Sequence, residues 1–147
     1  SDVPSDSSIG NLNLLLRYLV SLTACLSAWA SLGAGPYTPG PVVVLGDSLS
    51  AAYGLDPQQG WVALLRLRLA DAGYGQPVVN ASVSGETTSG GRARIARVLS
   101  THTPSVVIVE LGANDALRGL PAPQIEDNLV ALVGAIRSAH AAALLVA

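Results

Sequence analysis

Four short apolar runs do most to limit what this chain can become. They lie at 41–45 (PVVVL), 77–81 (PVVNA), 105–111 (SVVIVEL) and 141–147 (AAALLVA). Each is continuous rather than alternating, which is the pattern of a parallel strand buried on both faces. Between them the apolar period becomes helical. Trp61, Leu64, Leu65, Leu69 and Ala72 make one apolar face, ended by Gly73. Ile95, Val98 and Leu99 mark a second, shorter helix that stops before Pro104. Ile125, Leu129, Leu132, Val133 and Ile136 form a third, with Pro123 at its start and Glu126 and Asp127 in its first turn, where they suit the helix dipole. Strand and helix therefore alternate, which predicts an α/β domain with a parallel sheet and right-handed crossovers.

Composition narrows the chemistry. The 147 residues suit one modest domain, and a hydrophobic fraction of 50% is ample for a core. A net charge of -2 leaves no basic footprint for nucleic acid. All 8 basic residues are arginine. Without lysine, a Walker-type phosphate loop and a lysine Schiff base are both excluded. One cysteine and 2 histidines make neither a disulfide framework nor a zinc constellation, and no pattern implies any other metal or an organic cofactor.

The two ends carry separate signals. Residues 1–10 are polar; Arg17 then precedes an apolar run from Tyr18 to Ala30 that closes on Ala28-Trp29-Ala30. The run is shorter than the ~20 residues of a membrane span, and its small-residue ending predicts a secretory signal peptide cleaved near Ala30. An uncleaved anchor or a core helix is the alternative. Leu22-Thr23-Ala24-Cys25 also resembles a lipoprotein box, which would put a lipid on Cys25, although the apolar stretch before it is short. Residues 31–41, rich in Gly and Pro, read as a linker. The last apolar run stops at Ala147 as a half-strand whose edge would lie unpaired, so the domain over 42–147 is expected to be cut at that end.

In open parallel sheets ligands bind beyond the carboxyl ends of the strands. There the sequence places Gly46-Asp47-Ser48-Leu49-Ser50, then Ser82-Val83-Ser84-Gly85-Glu86-Thr87-Thr88, then Gly112-Ala113-Asn114-Asp115. Ser48 can offer a hydroxyl and an N–H, Gly85 an N–H free of side-chain obstruction, and Asn114 a neutral amide. Together these are what acyl transfer needs: a nucleophile and donors for a tetrahedral oxyanion. Singly, Ser48 suits a helix N-cap, Gly85 a turn with positive φ, and Asn114 an Asx-turn. Their coincidence at three strand ends favours chemistry.

The same residues resemble a known family. VVVLGDSLS at 42–50, NASVSGETT at 80–88 and VELGANDALRG at 109–119 are similar, in order and spacing, to the motif blocks of the SGNH, or GDSL, hydrolases. The wording is nearest the bacterial arylesterase, acyl-CoA thioesterase I and lysophospholipase L1 branch. The resemblance implies a flavodoxin-like three-layer α/β/α sandwich over 42–147 and Ser48 as nucleophile. It implies an oxyanion hole from the Ser48 N–H, the Gly85 N–H and the Asn114 side chain, with Asp47 and Asp115 as supporting, positioning groups. The expected substrate is a small ester, a thioester or a lysophospholipid, handled in the bacterial periplasm or outside the cell, with no stable membrane insertion once the signal is removed. Ser50 breaks the Gly-x-Ser-x-Gly elbow, which argues against a standard α/β-hydrolase.

One block is missing. The family takes its catalytic His and the Asp that orients it from an Asp-x-x-His block, and none occurs in these 147 residues. His102 and His140 fall at helix ends on the opposite side of the predicted sheet, where a histidine suits the helix dipole, so neither is assigned a catalytic role. The chain alone is expected to lack its general base, which would lie beyond Ala147, and to be inactive. A binding module that kept the fold and lost the base is the alternative. A nucleotide-binding flavodoxin-like domain is a weaker third reading, because no Gly-x-Gly-x-x-Gly follows a strand. Arg118 is either a contact for an anionic substrate group or an exposed surface residue.

Overall fold

The computed structural model describes residues 39–146. The expected signal peptide, the lipoprotein-box resemblance and most of the expected linker fall outside these residues. The strands are β1 (Val42–Gly46), β2 (Val78–Asn80), β3 (Val106–Glu110) and β4 (Ala142–Leu145). They are joined through helices α1 (Trp61–Asp71), α2 (Thr88–His102), α3 (Ala113–Leu117) and α4 (Ala122–Ser138). All strand pairs are parallel, in the order β2-β1-β3-β4. That is the doubly wound order in which the chain leaves β1 first to one side and later to the other.

The continuous apolar runs are explained by two cores. Because side chains alternate across a strand, Val43, Leu45, Val107 and Val109 face α2 and α4, packing on Ile95, Val98, Leu99, Leu132 and Ile136. Val42, Val44 and Ile108 turn the other way onto Val62, with Trp61, Leu65 and Leu69 of α1 at the margin. The sheet is thus sandwiched between helices, as the alternation predicts.

Three expectations are corrected. The second helix is the longer of the first two, with 15 residues against 11. Its first turns are Thr88, Ser89, Gly90 and Gly91, which carry no apolar period, and the helix is started there by Thr87, whose side chain accepts the Gly90 N–H at 3.2 Å. The apolar face of α1 is rotated from the expected one: Val62 and Ala63 are buried, Leu64 is 52% exposed and Ala72 is exposed as well. With seven apolar residues among its first nine, α1 offers more than one stripe, and contact with Val42 and Val44 selects among them. The run at 141–147 is a strand over Ala142–Leu145, but Leu144 and Leu145 are each 51% exposed. Among the described residues no strand pairs its outer edge. Beside Leu145, the outward side of α4 forms an apolar groove of about 740 Å³ lined by Ile125, Leu129, Val130 and Val133 among others.

The two helices give a direct check on this packing. Leu132 is fully buried between α2 and the sheet, so Leu132→Ala should lower unfolding free energy by about 2–5 kcal/mol in urea titration. Leu64→Ala should change it by less than about 0.5 kcal/mol; a larger loss there would mean the expected face, not the observed one, packs on the sheet.

Candidate active site

β1 lies between β2 and β3, so the turns that follow these three strands meet at one edge of the sheet. The junction between β1 and β3 is the switch point of a doubly wound sheet, where such folds hold ligands. Ser48 sits on the turn after β1. Its Asp47 carboxylate is 1% exposed and accepts the Leu49 N–H through Oδ1 at 3.0 Å, closing an Asx-turn that leaves Ser48 part-exposed at the apex. The Ala51 N–H donates to Asp47 O at 2.9 Å and the Tyr53 N–H to Ser48 O at 3.0 Å, so the turn is also bonded through its backbone.

The loop after β2 is drawn to the same place. The Val83 N–H donates to Gly46 O at 3.0 Å, and Gly85 adopts φ 80°, a left-handed conformation that glycine takes without strain. Arg118 is exposed, as one of the two readings expects, and its Nη2 donates to Gly85 O at 2.8 Å. Among the described residues neither the Ser48 N–H nor the Gly85 N–H has a hydrogen-bond acceptor.

Asn114 joins the two turns. It lies on the short helix α3, which the apolar period could not reveal because the helix has only 5 residues. Its Nδ2 donates to Asp47 Oδ2 at 3.0 Å and to Glu86 O at 2.9 Å. One amide nitrogen therefore contacts the neighbours of both Ser48 and Gly85. Both amide hydrogens are engaged in this arrangement, so donating to a third acceptor requires one bond to be shared or released.

Asp115 is turned away from this cluster and is fully buried. Its Oδ2 accepts the Thr88 N–H at 2.8 Å and its Oδ1 the Thr88 hydroxyl at 2.5 Å, placing a carboxylate at the N-terminus of α2. Asn128, also buried, donates to Thr88 Oγ1 at 3.1 Å and accepts from Arg92 at 3.2 Å. Sequence reasoning missed Asn128; a polar residue inside the apolar stripe of α4 was the available signal. Glu86 is paired with Arg94 in the second turn of α2. His102 ends α2 and His140 follows α4, both on the amino side of the strands they precede and so across the sheet from Ser48. Among the described residues no group of three metal-ligating side chains is gathered, and no helix is long and apolar enough to cross a membrane.

The α/β sheet thus collects a serine turn, a glycine loop and an asparagine at its switch point. Residues 44–147 match the GDSL-like lipase/acylhydrolase family, and the chain belongs to it. It is 51% identical over 104 residues to the esterase TesA of Pseudomonas aeruginosa, a match covering 71% of this chain and 52% of that protein. Thioesterase 1/protease 1/lysophospholipase L1 of Escherichia coli K12 is 41% identical over 104 residues, covering 71% of this chain and 49% of the relative. The crystal structure of TesA superposes with a TM-score of 0.71 at 50% identity, covering 71% of this chain and 58% of that one. The chain thus spans about half the length of the curated relatives it matches.

The network around Asp115 makes a stability prediction. Asp115→Ala leaves the Thr88 N–H and hydroxyl without their carboxylate in a buried setting, and should cost roughly 3 kcal/mol in denaturant unfolding. A loss below about 1 kcal/mol would show that the α2 start does not depend on this carboxylate.

Proposed function

We propose that this domain is the nucleophile-bearing part of a carboxylic ester hydrolase that works through an acyl-serine. Ser48 Oγ attacks the acyl carbonyl as a histidine base takes its proton; the base returns the proton to the departing alcohol or thiol, and water then releases the acid. The oxyanion is received by the Ser48 and Gly85 N–H groups and by the Asn114 amide, which exchanges one of its present acceptors for the developing charge. Asp47 and Asp115 are positioning groups. The observation that carries the reading is the grouping of these donors: two N–H groups that have no acceptor among the described residues, bracketed by one amide that contacts the neighbours of both.

The rim supports an acyl substrate. Leu49, Val83 and Leu117, next to or near the site residues in sequence, are 68%, 49% and 85% exposed. Exposed apolar residues around a polar centre suit the chain of a small ester, a thioester or a lysophospholipid. Neither histidine of residues 39–146 reaches Ser48, so turnover needs a histidine brought to the carboxyl edge of the sheet from outside them. Secretion guided by residues 1–30, with 31–41 as linker and 42–147 as the hydrolase domain, completes the reading; the site of action is the bacterial periplasm or the exterior.

A second reading, a binding module without turnover, is favoured by one observation: both Asn114 hydrogens are already engaged. Fluorophosphonate treatment of the full-length polypeptide, followed by peptide mapping, separates the two. The hydrolase reading expects a covalent adduct on Ser48, no p-nitrophenyl butyrate turnover in Ser48→Ala, and a kcat lowered on the order of 10²–10³-fold in Asn114→Ala. Ligand binding with no adduct on Ser48 would establish the binding module instead.

A further inference from the structure

Against the Ser48 turn lies a carboxylate to which the reading of the motif blocks assigns no role and which the oxyanion donors do not need. Glu110 closes β3 after the apolar run Val106–Val109. A core strand has no packing reason to end on a glutamate pointed inward. Its Oε2 accepts the Ser50 hydroxyl at 2.7 Å and lies 3.4 Å from the Asp47 N–H. The two residues it meets bracket Ser48.

The direction of the Ser50 bond is fixed by its other partner. The Trp61 indole N–H can only donate, and it donates to Ser50 Oγ at 3.1 Å. The single hydroxyl hydrogen of Ser50 is therefore left for Glu110. Asn80 Nδ2 holds the Ser50 carbonyl at 2.7 Å. Residue 50, itself 1% exposed, is thus gripped by groups from β2, β3 and the start of α1. Gly46 makes the closeness possible: a Cβ there would stand 2.5 Å from Ser50 Oγ and 3.0 Å from Glu110 Oε2.

We infer that Glu110 is a positioning residue for Ser48, acting through Ser50, so that the hydroxyl and N–H of the nucleophile are held where the acyl group and its oxyanion will be. This rests on the reading of Ser48 as nucleophile. A grip of this kind acts on the reacting geometry and not on substrate affinity, and a displacement near 1 Å is worth on the order of 10²-fold in rate.

The test uses the full-length polypeptide with p-nitrophenyl butyrate and with a fluorophosphonate probe, at a temperature where each variant is folded by circular dichroism. Glu110→Ala should lower kcat about 100-fold, leave KM within a few-fold, and slow Ser48 labelling in step with kcat. Glu110→Gln keeps an oxygen that can accept from Ser50 and should recover most of the rate. Ser50→Ala combined with Glu110→Ala should be no slower than Glu110→Ala alone, since both cut one linkage. Unchanged kcat and labelling in a folded Glu110→Ala, or Gln failing as badly as Ala, would overturn the inference while leaving the hydrolase reading intact. If Glu110→Ala does not fold, Ser50→Ala decides alone, and wild-type labelling rates in that variant overturn it. A wild-type protein with no Ser48 adduct overturns both readings at once.

Discussion

The structure depends on β1 being buried on both faces. Val43, Val44 and Leu45 have no exposed surface, because helices cover the sheet on either side and strands flank β1 on both edges. Everything polar must wait until the strand ends. At Gly46 the chain leaves the core, and the neighbouring strands end nearby, at Asn80 and Glu110. The polar cluster is therefore not an addition to the fold. It gathers where three parallel strands release their first groups able to hydrogen-bond with something other than the sheet.

Two buried carboxylates divide the work there. Asp47 looks inward to its own turn and across to Asn114, linking the serine to the amide. Asp115, one residue further along α3, looks the other way and fastens the start of α2 through Thr88. Neighbouring residues on one short helix thus take different partners, Asn114 the serine and glycine turns and Asp115 the start of α2. The loop carrying Gly85 is tied to both, by Asn114 at Glu86 O and by Arg118 at Gly85 O.

The strands, their order of appearance and the gathering of the turns that carry Ser48, Gly85 and Asn114 were legible because each rests on local pattern: continuous apolar runs, helical period, and motif blocks just after strands. What was not legible depends on long-range partners. Glu110 sits inside a block whose asparagine draws attention, and only its approach to Ser50, 60 positions earlier, reveals its place. Asn128 looks like an interruption of an apolar stripe until Thr88 is found beside it. The face of α1 differs from the expected one at Leu64 and Ala72, which fit a helical period as well as Leu65 does. Which stripe packs is decided by the sheet. The half-open state of β4 could not be read from its apolar letters, since composition reports what a strand could bury and not what lies against it.

The parallel register of β1 also sets an order of events in time. Its neighbours are Val78–Asn80 on one side and Val106–Glu110 on the other, both later in the chain. As the polypeptide emerges from the ribosome, this apolar strand appears before either partner and before the described helices that will cover it. Until β2 has been synthesised, PVVVL is a bare strand with two open edges, and one edge stays open until β3 follows, a state that invites pairing with the wrong neighbour. The residues that follow it, Gly46, Asp47 and Ser48, interrupt the run with a turn and a charge. The same turn that presents the serine in the finished domain thus keeps that early segment short while it waits.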